Sequence, residues 1–224
     1  MARVLLEMHD VHLAYRLRKS LFRSECHPVI NGVSLQIHQG QRLGIMGHNG
    51  AGKSTLLRLM AGIYAPDRGR VINFGARVSL LSLQAGFDPR LTGWDNALLS
   101  GVLMGMSRKE VRLRLKGIHE FCELGDQMND VLGTYSSGMR ARLGFAVALA
   151  MEVDLLLIDE VLSVGDQDFQ EKSEKAVRHA VEQGCAMVLV SHSPAKLKKW
   201  TDSVLVFEKG MICSSTSEKA LSAP

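Results

Sequence analysis

Nothing in this sequence is apolar for long enough to cross a bilayer. The most apolar window, Leu143 to Met151, falls far short of the roughly 20 residues a spanning helix needs, so any membrane role is expected to be peripheral. The opening, MARVLLEMHD, lacks the extended apolar stretch of a secretory signal. Cysteine is sparse: Cys26, Cys122, Cys185 and Cys213 stand far apart, with no C-x-x-C and no metal-ligand spacing. Scattered thiols of this kind fit a reduced, cytosolic protein rather than a disulfide framework. Internal repeats, low-complexity tracts and Pro/Gly/Ser linkers are missing as well. The charge imbalance is slight, +4 at pH 7, and by itself argues for neither nucleic acid nor acidic lipid.

What is present suits a globular protein. The 224 residues are 46% hydrophobic and 22% charged, enough to bury a sizeable core as one domain or two closely joined lobes. Arg3 to Tyr15 and Asn31 to Gly40 alternate apolar and polar residues, which predicts half-buried antiparallel strands. Between them, Arg16 to His27 is basic and poorly periodic, and is expected to be an exposed excursion. Arg42 to Gly47 is a short apolar run ending in glycine, followed by helical spacing from Lys53 to Gly62. From about Gly93 to Ala150 the composition turns helical, with little strand signal. The apolar LLLID (Leu155 to Asp159) then suits a buried parallel strand. A helix over Asp168 to Gln183, a strand over Ala186 to Ser191 and a short helix near Pro194 to Trp200 continue the alternation. The expected fold is α/β: a P-loop core sheet with an antiparallel β portion (1–92 and 151–224) and an inserted helical subdomain (93–150).

Gly47 to Thr55, GHNGAGKST, matches G-x-x-x-x-G-K-[ST] and sits between a predicted strand and a predicted helix, the context this motif requires. Its glycines allow the backbone of Gly47, Asn49, Gly50, Ala51 and Gly52 to curl so that N–H groups face a phosphate at the helix's positive end. Lys53 is placed to reach the β- and γ-phosphates of ATP, Ser54 to ligate Mg²⁺, and Thr55 completes the loop. LLLIDE supplies a second half: Asp159 at the strand end to hold Mg²⁺, and Glu160 to polarise the attacking water as general base.

Tyr135 to Met151 separates this chain from other P-loop proteins. It resembles the signature motif of ABC ATPases, usually LSGGQ, here Tyr135-Ser136-Ser137-Gly138-Met139. The resemblance covers essentially the whole chain. It implies a head-to-tail dimer of two copies, in which Ser136, Ser137 and Gly138 of one close on the γ-phosphate held by the other. SVGD (Ser163 to Asp166) matches the family's D-loop, His192 its switch histidine, and Tyr15 the aromatic that stacks on adenine. The family also carries a glutamine before the helical lobe that senses Mg²⁺. Gln84 occupies that region, about one residue short of the usual distance to Leu91-Thr92-Gly93.

Three further stretches, AGFDPRLTGWDN, TYSSGMRARLGFA and DEVLSVGDQDFQEK, look like the polysaccharide-export subgroup. A chain that stops soon after VLVFEKGMICSS is most similar to capsule-export ATPases, with O-antigen and teichoic-acid exporters as alternatives. The resemblance implies a peripheral place for this chain at the cytoplasmic face of the inner membrane, a separate integral-membrane permease dimer, further capsule-export proteins, and a lipid-anchored cargo. A non-transport ABC ATPase acting on nucleic acid is disfavoured because neither paired ATPase units nor long coiled-coil segments are present. A kinase is disfavoured because nothing resembles an acceptor site. Finally, Phe87, Leu91 and Trp94, on a loop with Gly86 and Pro89, are expected to form an exposed docking surface for the permease.

Overall fold

The computed structural model describes residues 2–20, 23–81, 86–159 and 166–217. Gln84 and Glu160 therefore lie outside the described residues. The chain divides into two compact units, one of Met1–Leu80, Asp154–Glu160 and Gly184–Pro224, the other of Leu81–Val153 and Val161–Gln183.

The first unit holds two sheets. The smaller has the order β2-β1-β4, from β1 (Val4–Ser20), β2 (Arg23–His38) and β4 (Arg68–Asn73), all antiparallel. Along β1, Leu5, Leu6 and Met8 are buried, while Glu7 and His9 are half-exposed. The basic stretch expected to leave the sheet instead stays in it: the β1–β2 ladder continues through Arg16↔Cys26 and Leu17↔Glu25 to Ser20↔Arg23. Residues 25–28 are exposed, so no core face imposes a period of two there, and the backbone ladder forms without that sequence signal.

The larger sheet has the order β5-β6-β7-β3-β8-β9. Its members are β3 (Arg42–Met46), β5 (Val78–Leu81), β6 (Leu155–Asp159), β7 (Ala186–Ser191), β8 (Ser203–Glu208) and β9 (Met211–Ser217). The run β6-β7-β3-β8 is parallel, and β9 returns antiparallel. Leu155 to Ile158 and all of β7 are buried, as a strand covered on both faces requires. Burying the four aliphatic side chains of β6 contributes about 6–12 kcal/mol, an upper bound. That fixes β6, and with it the position of Asp159 at its end. Helices α1 (Lys53–Met60) and α6 (Pro194–Trp200) belong to this unit, and Leu57, Leu157, Val188 and Phe207 share its core.

The second unit is helical: α2 (Gly93–Leu103), α3 (Arg108–Cys122), α4 (Ser137–Ala150) and α5 (Gln167–Glu182). It takes in α5 as well as the stretch 93–150. Helix α3 opens with a capping box, Ser107 with Glu110. The unit's core gathers Ala97, Ile118, Met128, Leu132, Leu143 and Val147. Phe87 and Trp94, expected to present a docking surface, pack half-buried against this core instead. The loop before α2 is organised by Asn96, whose buried amide accepts from the Asp88 N–H (2.8 Å) and donates to the carbonyls of Asp88, Leu91 and Thr92 at 3.0, 3.1 and 2.9 Å. Asn96→Ala strands those backbone groups, and is expected to cost about 2–4 kcal/mol in chemical unfolding. A loss under about 0.5 kcal/mol would show that the loop holds itself.

Candidate nucleotide-binding site

The site grows from the C-terminal edge of the large sheet. In register, Met46 stands beside Ser191, and Val190 beside Asp159. Gly47, Asp159 and His192 therefore leave the sheet at one edge, where ligands of open α/β sheets bind. Asp159 is half-buried and His192 is exposed.

Between β3 and α1 the chain turns through Gly47 to Gly52. Gly52 has φ +102°, a conformation side-chain-bearing residues rarely adopt, and a Cβ there would lie 2.8 Å from the Val29 carbonyl oxygen. At Gly47 a Cβ would lie 2.3 Å from the Phe207 carbonyl oxygen. Both glycines are thus fixed by the backbone of neighbouring strands. Asn49 and Gly50 are exposed at the loop's crest, and Ala51 closes the turn, donating its N–H to the His48 carbonyl at 3.2 Å. Lys53 is buried, and its Nζ donates to the carbonyls of Gly47 (2.8 Å) and His48 (2.9 Å). An ammonium has three donors, so the lysine braces the loop and keeps one donor for a ligand.

The start of α1 is built for an anion. Its cap is Gly52, which offers no side-chain acceptor, and no acidic residue stands in its first turn. The first N–H groups and the helix dipole are thereby left to a ligand. Ser54 is half-buried in that turn. Thr55 is buried, and its hydroxyl shares a hydrogen bond of 3.0 Å with that of Tyr15. This bond and the edge-on Tyr64 ring, with centroids 6.3 Å apart, hold Tyr15 beside the loop at 37% exposure. The sequence motif does not include that tyrosine–threonine bond.

The donor set fits a nucleoside triphosphate: a glycine cradle, an uncapped helix start and one braced cation. It also fits Mg²⁺, since Ser54 and Asp159 offer the oxygen ligands this ion prefers. Among the described residues no three His, Cys, Asp or Glu side chains cluster as a self-sufficient metal cage. A hard cation there would complete its shell with phosphate and water oxygens.

In the helical unit, Ser136 caps α4, accepting the Met139 N–H at 3.2 Å. Ser137 is exposed in the first turn, and Gly138 is half-buried. Tyr135 anchors this start from below: buried, it donates its hydroxyl to the Gln127 carbonyl at 2.6 Å, and burial pushes its pKa up to about 12. Asp166 caps α5, accepting the Phe169 N–H at 3.0 Å, and pairs with Arg142 of α4. Neither Arg142 nor Asn96 was identifiable from the sequence, because a single cation or amide carries no periodic signal.

Fold and loop together define a P-loop nucleotide-binding α/β protein with a helical second unit. The family model for "ABC transporter" matches residues 30–163, more than half of the chain. The chain belongs to the ABC transporter family and carries that family's ATPase domain. It is similar to the O-antigen export system ATP-binding protein RfbE of Yersinia enterocolitica, 42% identical over 183 residues, covering 82% of this chain and 77% of that protein. It is also similar to RfbB of Myxococcus xanthus, named as an O-antigen export system ATP-binding protein, 43% identical over 183 residues but covering only 42% of that longer protein. The teichoic acids export ATP-binding protein TagH of Bacillus anthracis is 36% identical over 200 residues, covering 88% of this chain and 36% of the relative. Among solved structures, the dimeric ATP-binding cassette MJ0796 bound to ADP and Pi superposes with TM-score 0.77 at 22% identity, over 96% of this chain and 99% of that one. That likeness confirms the ABC ATPase fold.

Proposed function

We propose that this chain powers the export of a bacterial surface polysaccharide, working as a head-to-tail dimer docked on a separate membrane permease. The observation that carries the reading is the pairing of a complete phosphate cradle in one unit with a serine-capped, anion-ready helix start in the other. Two copies arranged head to tail would put that helix start against the partner's γ-phosphate. The relatives' names support the cargo class, and they point to O-antigen and teichoic-acid export at least as well as to capsule. A capsular glycan is the finer reading, and rests on the sequence resemblance alone.

In this reading Lys53 and the first N–H groups of α1 bind and orient the phosphates. Ser54 and Asp159 would hold Mg²⁺, which supplies charge neutralisation at the β- and γ-phosphates. Glu160 takes a proton from the attacking water, and His192 contacts the γ-phosphate. Tyr15 receives the adenine, and Gln84 reports on the metal and the permease. No helix among the described residues is long and apolar enough to cross a membrane. Attachment at the cytoplasmic face of the inner membrane would then run through the permease and any further export proteins.

The dimer is tested at Gly138. A Cβ there meets nothing closer than the Ser136 Oγ at 3.8 Å, and a carboxylate near a helix start is favourable to the helix. Gly138→Asp is therefore expected to leave stability and nucleotide binding intact while ATPase turnover falls at least about 100-fold, by repulsion of the partner's phosphate. A normal ATPase rate in that variant would rule out the composite site. The cargo class is tested by deleting the gene and labelling surface glycans. Loss of a surface polysaccharide, restored by the wild type but not by Gly138→Asp, is expected; unchanged glycans with a working ATPase would overturn it.

A further inference from the structure

One charge inside the signature stretch, Arg142, makes contacts that the motif itself does not account for. Arg142 lies one turn into α4 from Gly138, and its side chain is only 18% exposed. Its guanidinium donates to Asp166, approaches Glu123 at 3.6 Å, and lies 4.7 Å from the Phe169 ring centroid. The contacts land on the ends of two other helices, α5 and α3. Asp166 is the cap of α5, and uses its other oxygen on the Phe169 N–H. Glu123 is the left-handed C-terminal cap of α3, at φ +56°. Glu123 is held in turn by Lys172 of α5 at 2.6 Å, so charges of alternating sign run Asp166, Arg142, Glu123, Lys172. Phe121, Phe145 and Phe169 pack against one another beneath this row, with centroids 5.7–6.3 Å apart.

From this geometry we infer that Arg142 is a positioning residue that ties the signature helix to the last residue of the D-loop, so that the two move as one piece. The inference rests on the ATPase reading above. Only a planar fork satisfies this placement, because two carboxylates and an aromatic face must be met from one side chain. Its partial burial matters too. Both carboxylates remain solvent-accessible, so it is the half-buried guanidinium, held by charge-assisted bonds and the ring, that fixes the geometry. Along the chain, Asp166 follows Glu160 by six residues. ATP binding, by contrast, draws on Lys53 and α1. Loss of Arg142 should therefore slow turnover and leave nucleotide affinity unchanged.

The test compares kcat, KM for ATP and unfolding temperature in R142Q, R142K, D166N and R142Q/D166N, with exchange at the Phe169 amide as a readout independent of turnover. R142Q is expected to lower kcat about 10-fold with KM within about twofold of wild type. R142K should recover the unfolding temperature but only part of kcat, and both variants should speed exchange at Phe169. D166N keeps a good helix cap while losing the charge, and should match R142Q. The double variant should be no slower than either single one. An unchanged kcat in R142Q, a KM rise without a kcat loss, or multiplicative losses in the double variant would each overturn the inference. If R142Q fails to fold, D166N decides: an unchanged kcat there overturns it equally. A wild type that binds ATP without hydrolysing it would instead defeat the ATPase reading.

Discussion

Lys53→Ala is expected to fold and to lose ATP. Alanine suits the first turn of α1, so the helix survives, while the Gly47 and His48 carbonyls lose the ammonium that braces them. Removing the one charge-assisted bond left for phosphate costs about 1.5–3 kcal/mol, or about 10–10²-fold in affinity. Titration with a fluorescent ATP analogue measures this directly, with circular dichroism confirming the fold. Binding within about threefold of wild type would mean that the uncapped helix start holds the phosphates alone.

Glu160→Gln should do the reverse. The amide can orient a water but cannot take its proton, so turnover is expected to fall about 10²–10⁴-fold with ATP affinity preserved. Bound ATP that is no longer consumed should also hold two copies together, doubling the mass measured by light scattering in MgATP. Near-normal hydrolysis would remove Glu160 as the base. Hydrolysis lost without any dimer would separate the chemistry from the closure.

These two residues also mark what the sequence could and could not disclose. The phosphate cradle was legible because its chemistry forces a spacing: glycines where the backbone must curl, then lysine, then a hydroxyl. LLLID was legible because a strand buried on both faces must be apolar throughout. The full extent of the β1–β2 hairpin was not, because its exposed end meets no core and so shows no alternation. β4, RGRVIN, escaped for a related reason: it is exposed at Arg68 to Arg70 and only half-buried at Val71 and Ile72. Phe87 and Trp94 misled because an aromatic on a loop looks alike whether it faces a partner or its own core. Arg142 works through partners far away in sequence, and Asn96 through backbone groups of the loop just before it, and only the folded chain shows those partners.

Gly47 carries a lesson for anyone who would infer activity from a motif. Its hydrogen faces the Phe207 carbonyl of β8 so closely that any side chain would collide with that strand, whatever the loop binds. A descendant of this protein that abandoned ATP altogether would still need glycine there to keep its sheet together. Persistence of that glycine in a degenerate copy would report on architecture rather than on catalysis. Erosion at Lys53 would be the earlier sign that an engine had become a scaffold.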